Sequence, residues 1–221
     1  MKLFNSLPLL IRYPLLNLER ILIMSLKLLA MLLTAILISF SFSYDNPSPK
    51  QPGDKVDDFT LSNYDGTEYT LSRLNMSKAV VVIFISTKCP YVQPYTDRLL
   101  ELSNEFSKQG VTFLAVNSNN TESLQEVEAH AVKNNYPFPV LKDTDNKIAD
   151  LFGATRTPEV FVLDPNRVVM YHGRIDDNQD VSGVTSSDLK NALNDITAGK
   201  EVSVKATKSF GCSIKRIENS K

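Results

Sequence analysis

Val80-Val81-Val82-Ile83-Phe84-Ile85-Ser86-Thr87-Lys88-Cys89-Pro90-Tyr91-Val92 carries an uninterrupted apolar run into a polar turn and a cysteine. A run of this length without alternation predicts a strand buried on both faces. Downstream, Val92, Tyr95, Leu99, Leu102 and Phe106 recur at spacings of three and four, which places them on one face of a helix ending near Gly110. Pro90 suits the first helical position and Pro94 is expected to kink the first turns. A cysteine at a helix N-terminus meets unpaired N–H groups and the positive end of the dipole, which favour its thiolate; Lys88 adds a positive charge beside it. The alternative is that Cys89 is a small buried apolar residue.

Working outward, Val111 to Val116 reads as a second buried strand and Leu124, Val127 and Ala131 as the apolar face of a second helix. Strand, helix, strand, helix implies a parallel unit with a right-handed crossover, whose ligands gather at the carboxyl ends of the strands. Ahead of it, 58–62 and 67–71 flank Asn63-Tyr64-Asp65-Gly66, an Asp-Gly hairpin turn. Behind it come an apolar stretch over 137–141, a short helix around Ile148, Leu151 and Phe152, and two strands, 160–163 and 168–171, joined by Asp164-Pro165-Asn166-Arg167. Thr185 with Asp188 reads as a capping box for a last helix bearing Leu189, Leu193 and Ile196. The aspartates at 143, 145, 176, 177 and 180 read as solvated loop residues, and His172 as a surface or partly packed residue.

The chain has 221 residues, 43% hydrophobic and 22% charged, with a formal net charge of −1, so nothing suggests a nucleic-acid partner. Two cysteines and two histidines do not supply the usual zinc spacings, and neither metal nor cofactor is expected. Leu28 to Tyr44 lacks charge, follows Lys27 and ends on Ser41 and Ser43, which reads as an export signal over 1–43 cut at Ser43-Tyr44, with 1–23 an upstream extension. The competing reading is a retained membrane anchor. Residues 44–53 are polar and proline-rich and read as a linker, and 54–221 as one domain with a tail over 200–221. Either way the domain is expected in an exported compartment, periplasmic or secreted, where a disulfide persists.

This order of elements resembles the thioredoxin fold: α/β, a central mixed sheet flanked by helices, with an N-terminal hairpin and a C-terminal tail. More narrowly, Cys89-Pro90-Tyr91-Val92, Asp97-Arg98, Val116-Asn117-Ser118-Asn119, Tyr136-Pro137-Phe138-Pro139, Gly173-Arg174-Ile175-Asp176-Asp177 and Gly211-Cys212-Ser213-Ile214-Lys215 resemble a peroxiredoxin-like branch of the redoxin/thiol-specific antioxidant family. The resemblance implies that Cys89 attacks and that Pro158 is cis. It would bring the Thr157 backbone beside the sulfur, where it can hydrogen-bond an extended thiol substrate. It also implies a substrate-facing role for Ser86, at the family's threonine position. Tyr91 and Tyr95 stand four apart on the helix expected after Cys89, a spacing that lets one cover the sulfur while Tyr95 also packs in the core. Arg156 stands where it supplies a peroxide-site charge or simply faces solvent. Val92 replaces the second cysteine of C-x-x-C, and Val82 the proline that shapes a peroxide pocket.

Cys212 lies among Lys205, Lys208, Lys215, Arg216 and Lys221, which favour its thiolate and make it a competent resolving partner. The sequence is compatible with three arrangements: a cycling Cys89/Cys212 pair, a permanent bridge between them, or no direct pairing. The first makes the chain an exported thiol-disulfide oxidoreductase or thiol-dependent antioxidant. Its substrate is then a protein thiol/disulfide or a peroxide, and its reductant an external dithiol. The second makes it a binding domain with a structural disulfide.

Overall fold

The computed structural model describes residues 20–29, 31 and 48–217. The chain divides into two units, 1–45 and 46–221. In the first, 20–29 are helical, and among the described residues no helix is long and apolar enough to cross a membrane. The proposed cut at Ser43-Tyr44 lies outside the described residues.

In the second unit the apolar run becomes the middle of a sheet. Strand β3 (Ala79–Phe84) pairs in parallel with β4 (Val111–Asn117) and antiparallel with β7 (Glu159–Leu163). Strand β5 (Val140–Lys142) adds in parallel beyond β4, and β8 (Val169–Gly173) antiparallel beyond β7, giving the order β5-β4-β3-β7-β8. This is the mixed, helix-flanked sheet of a thioredoxin-like fold. The hairpin of β1 (Thr60–Ser62) and β2 (Glu68–Thr70) turns through Gly66 at φ +84°, and Asn63 Oδ1 accepts the Val140 N–H at 3.0 Å, which joins the hairpin to the sheet edge.

Because successive strand residues point to opposite faces, β3 feeds two cores at once. Ala79, Val81, Ile83 and Ile85 pack with Cys89, with Leu99, Leu102 and Phe106 of helix α1 (Thr96–Ser107), and with Leu189 and Leu193. Val80, Val82 and Phe84 pack on the other face with Ile148, Ala149 and Phe152 of helix α3 (Lys147–Phe152). Helix α2 (Leu124–Lys133) turns Val127 and Ala131 inward, but Leu124, expected on that face, is exposed. The last helix, α4 (Asp188–Thr197), has Ser187 at its N-cap with no side-chain bond. The expected Thr185/Asp188 box is absent because both residues are engaged elsewhere. Thr185 donates through its N–H and hydroxyl to Asp177, and Asp188 holds Arg174 at 2.6 Å.

The proline-rich stretch read as a linker is tied to this unit where it is described. Lys50 N donates to Phe152 O and Gly53 N to Val169 O, both at 2.9 Å. The region read as a tail is also bonded. Ala206 lies beside His172 in a parallel bridge, with the His172 N–H on Lys205 O and the Thr207 N–H on His172 O. Further on, β9 (Cys212–Ser213) pairs antiparallel with β6 (Arg156–Thr157).

Candidate active site

The turn after β3 differs from the expectation in one respect that changes its electrostatics. Residues 90–95 form turns and a single 3-10 turn (Gln93–Tyr95), and the α-helix begins only at Thr96. Pro94 explains the delay: it has no N–H to give the carbonyl of Pro90, so an α-turn cannot close there. Gln179 Nε2 donates to that carbonyl instead, at 3.1 Å. Cys89 therefore does not sit on the first turn of α1, and the expected dipole effect on its sulfur lapses. The lysine charge is also spent elsewhere, since Lys88 Nζ pairs with Glu126 at 2.8 Å and donates to Thr121 O at 3.1 Å.

Cys89 is 2% exposed and packed into the core with Ile85 and Val92, while Cys212 is part-exposed. The two are joined in a disulfide with a Cα–Cα distance of 6.0 Å across 123 residues of sequence. The Thr157-Pro158 peptide is cis, and the carbonyl oxygen of Thr157 lies 3.2 Å from Cys89 Sγ. In β6 Thr157 stands directly opposite Cys212. The sulfur pair, Thr157 and Pro158 thus form one cluster at the carboxyl end of β3. Arg156 is exposed and donates to Gly211 O at 3.1 Å, so its charge faces the incoming strand. Tyr91 is exposed, whereas Tyr95 is buried beneath Arg98, whose guanidinium lies 4.0 Å from the ring centre. Burial, first, and then the nearby Asp176 raise the Tyr95 hydroxyl well above its ordinary range.

Three buried acids hold the loops around this cluster. Glu122, 3% exposed, accepts Ser86 Oγ on one oxygen; on the other it accepts Thr87 N at 2.7 Å and Asn117 Nδ2 at 2.6 Å. Ser86 is thereby committed to Glu122, and its Oγ also accepts the Lys88 N–H at 3.2 Å. Glu159, directly after the cis proline, turns back so that one oxygen accepts Thr155 N and Arg156 N at 2.8 and 2.9 Å. Its other oxygen meets His172 Nε2 at 2.8 Å, and the imidazole stacks on Phe161. Asp176 holds Arg98, which also donates to Asn178 O at 2.8 Å and to Gln179 O, and so anchors the loop that reaches Pro90. Asp143, also expected on the surface, is buried and caps α3 by accepting Ile148 N and Ala149 N.

These corrections share a cause. A carboxylate can be buried when N–H, hydroxyl or guanidinium donors satisfy its oxygens, whereas burial without such donors is costly. Glu122 and Glu159 carried no motif, so sequence reasoning missed them; the only trace was Glu159's place beside Pro158. A cleft of about 790 Å³ between the hairpin and Lys142–Ile148 is lined by Glu122 but by neither cysteine. Lys142, at its edge, is pulled below the ordinary lysine range, chiefly by burial.

The chain is similar in sequence and fold to several known proteins. The curated thiol-disulfide oxidoreductase ResA of Geobacillus thermodenitrificans is 31% identical over 114 residues, 52% of this chain and 64% of ResA. Peroxiredoxin Q of Oryza sativa subsp. japonica is 28% identical over 126 residues, 54% of this chain and 57% of that protein. The alignments thus span roughly three fifths of these curated relatives. A hypothetical protein of Sinorhizobium meliloti, known from a crystal structure, superposes with a TM-score of 0.71 and 34% identity over 76% of this chain and 96% of its own.

Two outcomes follow for the loops. Glu122→Ala strands two buried donors, Ser86 Oγ and Asn117 Nδ2, and the half-buried Thr87 N–H, and chemical denaturation is expected to show a loss of about 3 kcal/mol, with Glu122→Gln losing less than half as much. The Glu126 carboxyl is held down to about 2, first by the Lys88 hydrogen bond and then by the Ser123 N–H. Its contribution to stability is therefore complete above the unfolded carboxyl value of about 4.3 and lost as pH falls through about 2. An NMR titration should show that low midpoint, and Lys88→Met should move it upward.

The profile of the AhpC/TSA family matches residues 52–172, more than half of the sequence, and the chain belongs to that family.

Proposed function

We propose that this chain is a thiol oxidoreductase in which Cys89 attacks a disulfide or peroxide and Cys212 resolves the product. The observation that carries the reading is the direct Cys89–Cys212 bond, made beside the cis Thr157-Pro158 peptide with Thr157 O 3.2 Å from Cys89 Sγ. The names of the relatives, a thiol-disulfide oxidoreductase and a peroxiredoxin, support the same chemistry.

With a hydroperoxide, the Cys89 thiolate takes the terminal oxygen, the O–O bond breaks, and the leaving alkoxide is protonated to an alcohol. Cys212 then attacks the Cys89 sulfenic sulfur, forming the disulfide and releasing water. With a disulfide, Cys89 forms a mixed disulfide and expels one thiolate, and Cys212 expels the second. In either case two electrons leave the protein dithiol and an external dithiol must restore them. Cys89 is buried and Cys212 part-exposed, so the reductant attacks the Cys212 sulfur and Cys89 departs as thiolate. Thr157 O accepts the Cys89 thiol proton's hydrogen bond in the reduced form, while Pro158 and Ser86 shape the walls. Tyr91 and Arg156 lie on the rim.

The uncharged run over 28–44 supports the reading that this chemistry takes place in an exported compartment, periplasmic or secreted, with membrane contact only if that segment is retained. Residues 1–43 are then the export segment and 54–221 the working domain. A second reading, a permanent bridge in a binding domain, draws support from the burial of Cys89.

Cys89→Ser is expected to abolish consumption of both peroxide and small disulfide. Cys212→Ser is expected to consume a single equivalent and stop with an adduct on Cys89, visible by intact mass. Turnover surviving in Cys89→Ser contradicts the proposal.

A further inference from the structure

An extended polypeptide that brings a disulfide to Cys89 Sγ meets the Thr157 backbone, whose carbonyl oxygen lies 3.2 Å from that sulfur, and β6 is the strand that continues from it. Strand addition is how such an edge takes a peptide. Here the edge is already filled. Thr157 pairs with Cys212, Arg156 with Ser213, and Ile214 N donates to Thr155 O at 2.9 Å.

The strand is held well beyond the cysteine. Lys215 N donates to Asn119 Oδ1 at 2.7 Å and Asn120 N to Lys215 O at 2.9 Å. Ile217 N reaches Asn146 Oδ1 at 2.9 Å, and Asn120 Nδ2 donates to Arg216 O at 2.8 Å. Arg216 pairs with Asp150 at 2.8 Å and donates to Ala154 O at 2.7 Å, while the Ile214 side chain is buried. On the near side, Gly211 has φ +146°, and a Cβ there would lie 2.1 Å from Thr157 O, so the close approach needs glycine. None of these contacts involves a sulfur atom, so opening the disulfide removes none of them.

We propose that residues 211–217 act as a built-in occupant of the polypeptide-docking edge. The segment stays docked when the disulfide opens and makes the site selective for low-molecular-mass oxidants over disulfides held in a polypeptide strand. This rests on the oxidoreductase reading above. A small disulfide RSSR needs no strand pairing. Cys89 sulfur bonds to one RS group and expels RS⁻, Cys212 sulfur displaces the other, and the two thiol protons leave with the two RSH products. A polypeptide must instead displace a tethered strand, which competes at high effective concentration. The pair also stays aligned in the reduced state, so resolution needs no refolding of the tail.

Amide hydrogen exchange of the full chain, oxidised and after reduction with dithiothreitol, tests the docking. Protection at Ile214, Lys215 and Ile217 is expected to persist within about tenfold on reduction, and a larger loss overturns the proposal. Stopped-flow oxidation of the pre-reduced chain by 2-hydroxyethyl disulfide and by insulin tests the selectivity. The small disulfide is expected to react faster, and the Asn119→Ala/Arg216→Ala chain to shift the ratio toward insulin by about tenfold, the scale of a few lost hydrogen bonds. Insulin reacting as fast as the small disulfide, or a ratio unmoved by those substitutions, overturns it. If neither oxidant reacts, the oxidoreductase reading fails, while the exchange measurement still decides whether the strand stays docked.

Discussion

The antiparallel pairing of Thr157 with Cys212 is the contact on which the site depends. The two cysteines are 123 residues apart, and nothing local brings them together. Main-chain pairing does so, because a residue opposite Thr157 in register necessarily lies over the end of β3, where Cys89 sits. In a C-x-x-C protein one helical turn supplies the second sulfur. Here Val92 fills that turn as a buried core residue, and a separate strand carries the partner cysteine in from the far end of the chain.

Buried acids brace the segments that this strand meets. Glu159 bonds the N–H groups of Thr155 and Arg156 and is itself held by His172, so β6 is braced from behind. Glu122 fixes Ser86 and Thr87 on the other side of the sulfur, and Arg98 with Asp176 fixes the loop that reaches Pro90. Buried ionic groups of this kind contribute little net stability against an apolar substitute, but each is costly to break once its partners are in place. Their effect is on geometry: the turn bearing Cys89 and the loop bearing Thr157 are set by separate networks that meet at the disulfide.

The features legible in the sequence were those with local signals. The strand around Val82, the Asp-Gly hairpin and the apolar face from Val92 to Phe106 each follow from a few neighbouring residues, and the structure has them. The motifs quoted as a resemblance also converge in space: Arg98 on Asp176, and Asn119 on the strand after Cys212. What escaped was non-local. No periodicity marks Glu122 or Glu159 as buried, since their partners come from other elements. The start of α1 was misplaced because Pro94 acts on Pro90, four residues back, and Gln179 completes the bond. The tail looked free because its partners come from distant elements: the backbones of Thr155–Thr157 and His172, and the side chains of Asn119, Asn120 and Asn146, which read as polar loop residues.

Redox cycling requires the Cys89–Cys212 bond to open and close in a folded chain. Equilibrating the native full-length protein in dithiothreitol buffers of graded ratio, trapping thiols with an alkylating reagent and weighing the intact chain tests it directly. The account predicts a reversible two-electron transition in which both cysteines are labelled together while the far-UV and near-UV circular dichroism remain native. Labelling that appears only once the near-UV signal has been lost in denaturant would identify the bond as a structural staple and contradict the account.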